Sequence, residues 1–116
     1  VYVRNKAKAC GDIGMHSEIH EYAGDVPQET VLAKIAEVNA DPRIHGILVQ
    51  LPLPKHFDVD QVLETISPQK DVDGFHKESL GALLAGTPTF QPCTPHGVMV
   101  ILDHYGIPLA GADAVV

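Results

Sequence analysis

Tyr2 and Lys6 lie four positions apart, so on a helix the phenol and the ammonium share a face and can converge on one small ligand. Lysine serves acid/base chemistry when desolvation draws its pKa toward neutrality, and a tyrosine can orient it or stack on a planar ring. Gln50 closes the apolar run Gly46-Ile47-Leu48-Val49, and an amide at such an end both donates and accepts, which suits a heterocycle with amide-like edges. Asp71 and Asp73 flank Val72, so in an extended segment both carboxylates face one way, opposite Lys70 and Val72. Two such carboxylates can bind a cation, cap turns or hold a ligand's amino groups. Each observation also has a plainer reading: a surface Tyr/Lys pair, a glutamine satisfying its own loop, and a turn at Asp73-Gly74 with Asp71 as its anchor.

Other chemistry finds less support. Of the seven histidines only His16 and His20 have a short ligand-like spacing, in a segment that reads as extended, and this is too few ligands for a metal site. Cys10 and Cys93 make no disulfide framework, and Cys93 has no evident base partner to make it a nucleophile. A net charge of -7 over 116 residues, with a pI near 5.3, argues against a nucleic-acid surface, which needs clustered Lys and Arg. The longest apolar runs, such as Gly46 to Leu53, fall far short of the roughly 20 residues that cross a bilayer. The expectation is a cytoplasmic protein without a membrane or nucleic-acid partner.

These residues need elements to position them. Periodicity predicts a helix over 1–13 stopped by Gly14, a mixed strand over 17–23, and a helix over 28–39 with Glu29 in its first turn. The Gly46–Leu51 run reads as a strand covered on both faces, as in a parallel sheet. Asp58 is expected to cap a short helix through Ile66, and a weak helix spans Leu80 to Ala85. Thr94 reads as the N-cap of a last helix with Pro95 at its first position. The alternation implies an α/β layer sandwich. Ligands in such sheets bind beyond the carboxyl ends of the strands, where Gln50 and Asp73 fall. The proline-locked loops Leu51-Pro52-Leu53-Pro54 and Gln91-Pro92-Cys93-Thr94-Pro95 are rigid enough to position a ligand.

Taken in order, these segments resemble the methylenetetrahydrofolate dehydrogenase/cyclohydrolase family. The resemblance rests on Tyr2-Val3-Arg4-Asn5-Lys6, on Asn39-Ala40-Asp41 followed by Gly46 to Pro54, on Lys70-Asp71-Val72-Asp73-Gly74-Phe75, and on Pro92-Cys93-Thr94-Pro95. It implies oxidation of the methylene bridge of methylenetetrahydrofolate by a nicotinamide cofactor, NADP, then hydrolysis of the methenyl product to formyltetrahydrofolate. Lys6 matches the family's catalytic lysine. Tyr2 matches the residue against the folate, Gln50 the glutamine that tunes the lysine, and Asp73 the aspartate that grips the pterin's amino edge. Leu51 and Pro52 are expected to line the substrate site. Ser79 departs from the pattern, many relatives having Asn there.

The resemblance further implies a three-layer α/β/α domain with a mainly parallel sheet, interrupted before a Rossmann NAD(P)-binding domain. Residues 1–92 are expected to form the folate-binding catalytic domain without its opening segment, 93–110 a connecting helix, and 111–116 the start of the cofactor domain, which would carry the NADP site. A homodimer acting in one-carbon metabolism follows. The alternatives are a member with cyclohydrolase activity alone and a non-catalytic folate-binding or assembly module.

Overall fold

A computed structural model describes residues 2–115; the side chain of Tyr2 lies outside the described set, as do Val1 and Val116. Five helices follow in order: α1 (Tyr2–Asp12), α2 (Gln28–Ala40), α3 (Val59–Thr65), α4 (Lys77–Leu84) and α5 (Cys93–His104). Three of them end alike, at the glycines that mark stops in the sequence. Met15 N–H donates to the Cys10 carbonyl at 2.8 Å, Thr87 to Ala82 at 2.9 Å and Ile107 to Leu102 at 3.0 Å. Gly14, Gly86 and Gly106 take the left-handed conformation that this six-to-one closure requires.

The core lies between α2 and α3. Ile35, Ile47, Phe57, Val62 and Ile66 are buried, with Val31, Leu32, Val38, Val49, Leu53 and Leu63 packed around them. Hydrogen bonds clip the two helices together at both ends. At one end Gln28 donates to the Gln61 side chain and accepts from the Asp58 amide, both at 2.6 Å. At the other, Asn39 donates to the Thr65 carbonyl at 2.7 Å and accepts from the Ser67 amide at 2.9 Å. Asp58 also caps α3, accepting from Gln61 N–H at 3.0 Å, as its position implies.

Helices α1 and α5 contribute no buried residue among those described. The radius of gyration, 16.6 Å, accordingly exceeds the about 13 Å of a compact domain this long.

Two expectations about local structure change. The parallel sheet is represented by one bridge, Ile47 with Asp71, in which Ile47 N–H donates to the Lys70 carbonyl at 2.7 Å. No ladder extends from it among the described residues, and 17–23 forms no strand. The reason is local: the second segment turns as soon as it pairs, Gly74 N–H donating back to the Asp71 carbonyl at 3.3 Å. The cap of the last helix is also Pro92, two residues before the expected Thr94. His96 N–H already reaches the Pro92 carbonyl at 3.1 Å, so Cys93 opens α5 and Pro95 sits in its first turn, where its missing N–H leaves no bond unmade.

Candidate functional site

The segment Lys70 to Gly74 divides its labour residue by residue. Lys70 reaches back to the end of α2, its ammonium donating to the carbonyls of Val38, Asn39 and Asp41 at 3.0, 2.7 and 2.8 Å. That helix has no basic residue in its own last turn, and Lys70 supplies the missing positive charge at its negative pole. Asp71, 2% exposed, reaches forward. One oxygen accepts from Gly74 N–H at 3.0 Å; the other accepts from His76 N–H at 2.9 Å and from the Ser79 hydroxyl at 2.8 Å. Val72 lies against Gly46, where an added Cβ would meet Val72 Cγ1 at 2.5 Å.

Gly74 takes a positive φ of 69° and faces Pro92 and Gln91 so closely that a Cβ would come within 3.2 Å of the proline ring. Both facts demand glycine at that position. The second proline-locked loop is thereby docked on the segment that carries Asp73.

Asp73 is the member of this segment without an anchoring bond among those described, and it is half-buried. Burial pushes its carboxyl above the ordinary range, the positive charge of Lys6 opposes that shift, and the negative charge of Asp71 adds to it. Lys6 on α1 and Asp73 are therefore within electrostatic reach of each other, although they form no ion pair. The shared face expected of Asp71 and Asp73 in an extended segment needs correction, and the plainer reading of Asp71 as the anchor of a turn holds. Alternation holds only in extended backbone, and the turn that starts at Asp71 sends its carboxylate inward to backbone amides.

The other expected residues are placed as follows. Lys6 is exposed and sits on α1 one turn beyond Tyr2, whose side chain is outside the described residues. Gln50 is exposed and donates to the carbonyl of its neighbour Leu51 at 3.0 Å, the plainer of the two readings of its amide. The Leu51–Pro52 peptide bond is cis, with Leu51 half-buried and Pro52 exposed.

Sequence reasoning overlooked the end of α3 as a support. Glu64 accepts from Lys77 N–H at 3.0 Å, placing a carboxylate at the N-terminus of α4, while His76 Nδ1 accepts from Glu78 N–H at 3.1 Å. The sequence signal was His76 two residues before Glu78, an unusual cap that helix rules weigh lightly. A groove of about 450 Å³ lined by Met99, Val100, Asp103, Ile107 and Leu109 lies along α5 and contains none of the expected site residues.

Comparison with known proteins bears on this arrangement. The model of the tetrahydrofolate dehydrogenase/cyclohydrolase catalytic domain matches residues 1–73, from the α1 segment through Asp73. The chain belongs to that family. Along its whole length it is 60% identical to the bifunctional protein FolD of Paraburkholderia phytofirmans and 62% identical to that of Dechloromonas aromatica. It spans 41% of the length of each of these relatives. Among solved structures, it superposes on the FolD methylenetetrahydrofolate dehydrogenase/cyclohydrolase of Campylobacter jejuni with a TM-score of 0.87 at 48% identity, covering 91% of this chain and 38% of that one. The Trypanosoma brucei enzyme, solved with NADP and an inhibitor, gives a TM-score of 0.87 at 35% identity, covering 91% of this chain and 36% of that one. The fold of the described residues is thus that of the family's structures.

Proposed function

We propose that this chain carries the folate site of a bifunctional methylenetetrahydrofolate dehydrogenase and methenyltetrahydrofolate cyclohydrolase, with the catalytic part in residues 1–92, a connecting helix in 93–110 and a cofactor domain from 111 onward. The observation that carries the reading is the juxtaposition of Lys6 on α1 with the half-buried Asp73, close enough for the positive charge of one to act on the other without an ion pair. The single Ile47–Asp71 bridge is one contact of a mainly parallel sheet in a three-layer α/β/α domain. In this reading the protein is a cytoplasmic homodimer working on reduced folates in one-carbon metabolism; no helix among the described residues is long and apolar enough to cross a membrane.

In this reading Asp73 accepts hydrogen bonds from the amino edge of the pterin. Tyr2 lies along the folate, while Leu51 and Pro52 form the wall of the site and Gln50 orients Lys6. Oxidation removes a hydride from the methylene bridge, and NADP supplies the acceptor when bound. The cofactor's phosphates would be held by the domain proposed from 111 onward, so that the part of residues 1–92 in the oxidation is to bind and orient the folate.

Hydrolysis adds water to the carbon between N5 and N10. Lys6 Nζ, as a neutral amine, takes a proton from that water as its oxygen bonds to carbon. It then returns that proton to N5 as the carbon–N5 bond breaks, while the hydroxyl on the carbon loses its remaining proton to solvent and becomes the formyl carbonyl on N10.

The test is hydrolysis of methenyltetrahydrofolate by the full-length protein, wild type against Lys6→Ala, corrected for the spontaneous reaction. Loss of turnover in a variant that stays folded supports the assignment. Equal activity in the two would remove Lys6 from the mechanism.

A further inference from the structure

We infer that Asp71 and Ser79 act as positioning residues for folate recognition, fixing the orientation of Asp73 through the turn they hold. The inference rests on the proposed role of Asp73. The geometry is specific. Asp71 is 2% exposed and Ser79 6% exposed, so their hydrogen bond, 2.8 Å from the Ser79 hydroxyl to Asp71 Oδ2, is shielded from water. The bonds from Gly74 and His76 to the same carboxylate fasten both ends of the turn on which Asp73 stands.

The carboxylate cannot be replaced by an amide. Each of its oxygens faces a backbone N–H, Gly74 on one and His76 on the other. An asparagine in either orientation would set its NH2 group against one of those donors. Ser79 adds a third donor from α4, one turn into the helix that His76 caps, and so ties the site turn to a regular element. Asp73 is held through Asp71 without being touched by it, which leaves its own oxygens open to a ligand.

Ser79→Ala removes one bond and leaves the backbone amides paired, whereas Asp71→Asn opposes one of them, so two graded variants are available. In the full-length enzyme Ser79→Ala should raise the KM for folate about 5-fold and Asp71→Asn about 30-fold, an order-of-magnitude reading of one lost buried hydrogen bond and of one buried backbone donor set against another donor. The KM for NADP should not change. Ser79→Thr, which keeps the hydroxyl, should return the folate KM toward wild type.

Asp71→Asn should also lower the pH at which folate binding is half lost, since it removes a negative charge facing Asp73 while Lys6 still faces it. Ser79→Ala should leave that midpoint unmoved. A folded Ser79→Ala enzyme with an unchanged folate KM overturns the inference, as does a fall in kcat and a rise in both KM values together, the pattern of general loosening. Asp73→Asn separates this failure from failure of the underlying reading. If that variant binds folate normally, Asp73 is not the pterin's partner; if it binds poorly while Ser79→Ala binds well, the site stands and only the positioning role falls.

Discussion

Gly46→Ala places a methyl group where Val72 Cγ1 is 2.5 Å away. Ordinary carbon contacts are about 3.5–4.0 Å, so the two segments must part by roughly 1 Å or Val72 must leave its rotamer, which its branching at Cβ resists. Overpacking of this kind costs about 1–3 kcal/mol. The displaced residue lies between Asp71 and Asp73, and because misplacement by about 1 Å can cost on the order of 100-fold in rate, partial transmission to Asp73 should raise the folate KM by about 10-fold. The assay pairs urea unfolding with folate kinetics on the full-length protein. Val72→Ala supplies the control: with Cγ1 gone, the nearest remaining atom of that side chain is Cβ at 3.7 Å, a normal contact. The double variant should therefore be less impaired than the sum of the singles, with a coupling of about 1 kcal/mol or more. Strict additivity in stability and in KM would refute the account of why glycine stands at this position.

Lys70→Met should destabilise the protein by about 3 kcal/mol, since three carbonyls at the end of α2 lose a cationic donor; a urea midpoint near wild type would show that water replaces it. Asp73→Asn should weaken folate binding yet raise the melting temperature slightly at neutral pH. The sign follows from the raised carboxyl of Asp73: the folded state favours its neutral form, so the ionised form opposes folding above that pKa and the penalty vanishes as pH falls through it. For the same reason wild-type folate affinity should fall on acidification at a pH above the usual carboxylate range, read by ligand titration across pH. Arg43, whose guanidinium lies 2.6 Å from Asp41, holds that carboxyl well below its ordinary range. Arg43→Gln should move the Asp41 titration upward in carboxyl NMR, and an unmoved midpoint would assign the depression to the backbone instead.

Much of this was legible in the residues. Helix periodicity and the glycines at 14, 86 and 106 gave α1, α4 and α5 their stops, and Asp58 announced α3. The sheet was less legible because an apolar run such as Gly46–Leu51 states a preference for burial without naming its neighbours; in the described residues it finds one, Asp71. The start of α5 was missed because Thr94 has the chemistry of a cap, while the first helical bond is made by the carbonyl of Pro92. Among the candidate residues, the Tyr2-to-Lys6 spacing led to one helix, α1, and the end of the apolar run led to Gln50, whose amide is taken up by the Leu51 carbonyl. The separate fates of Asp71 and Asp73 were foreseen only by the plainer reading, a turn at Asp73-Gly74 anchored by Asp71, since a two-residue alternation cannot reveal that the backbone turns there. The tie from Lys70 to α2 spans 32 residues at its longest, beyond the reach of any local pattern.

The clips at both ends of α2 and α3 have a consequence in time. Amides inside that pair can meet solvent only when both sets of side-chain bonds let go together, so they should be among the last to exchange with deuterium, and α1, which buries nothing among the described residues, among the first. Asp73 hangs from the slow body through Lys70, whereas Lys6 rides on the fast one. A folate held between them would act as a tether, and its arrival should be written in the exchange record as a delay along α1, near Lys6, rather than in the α2–α3 pair.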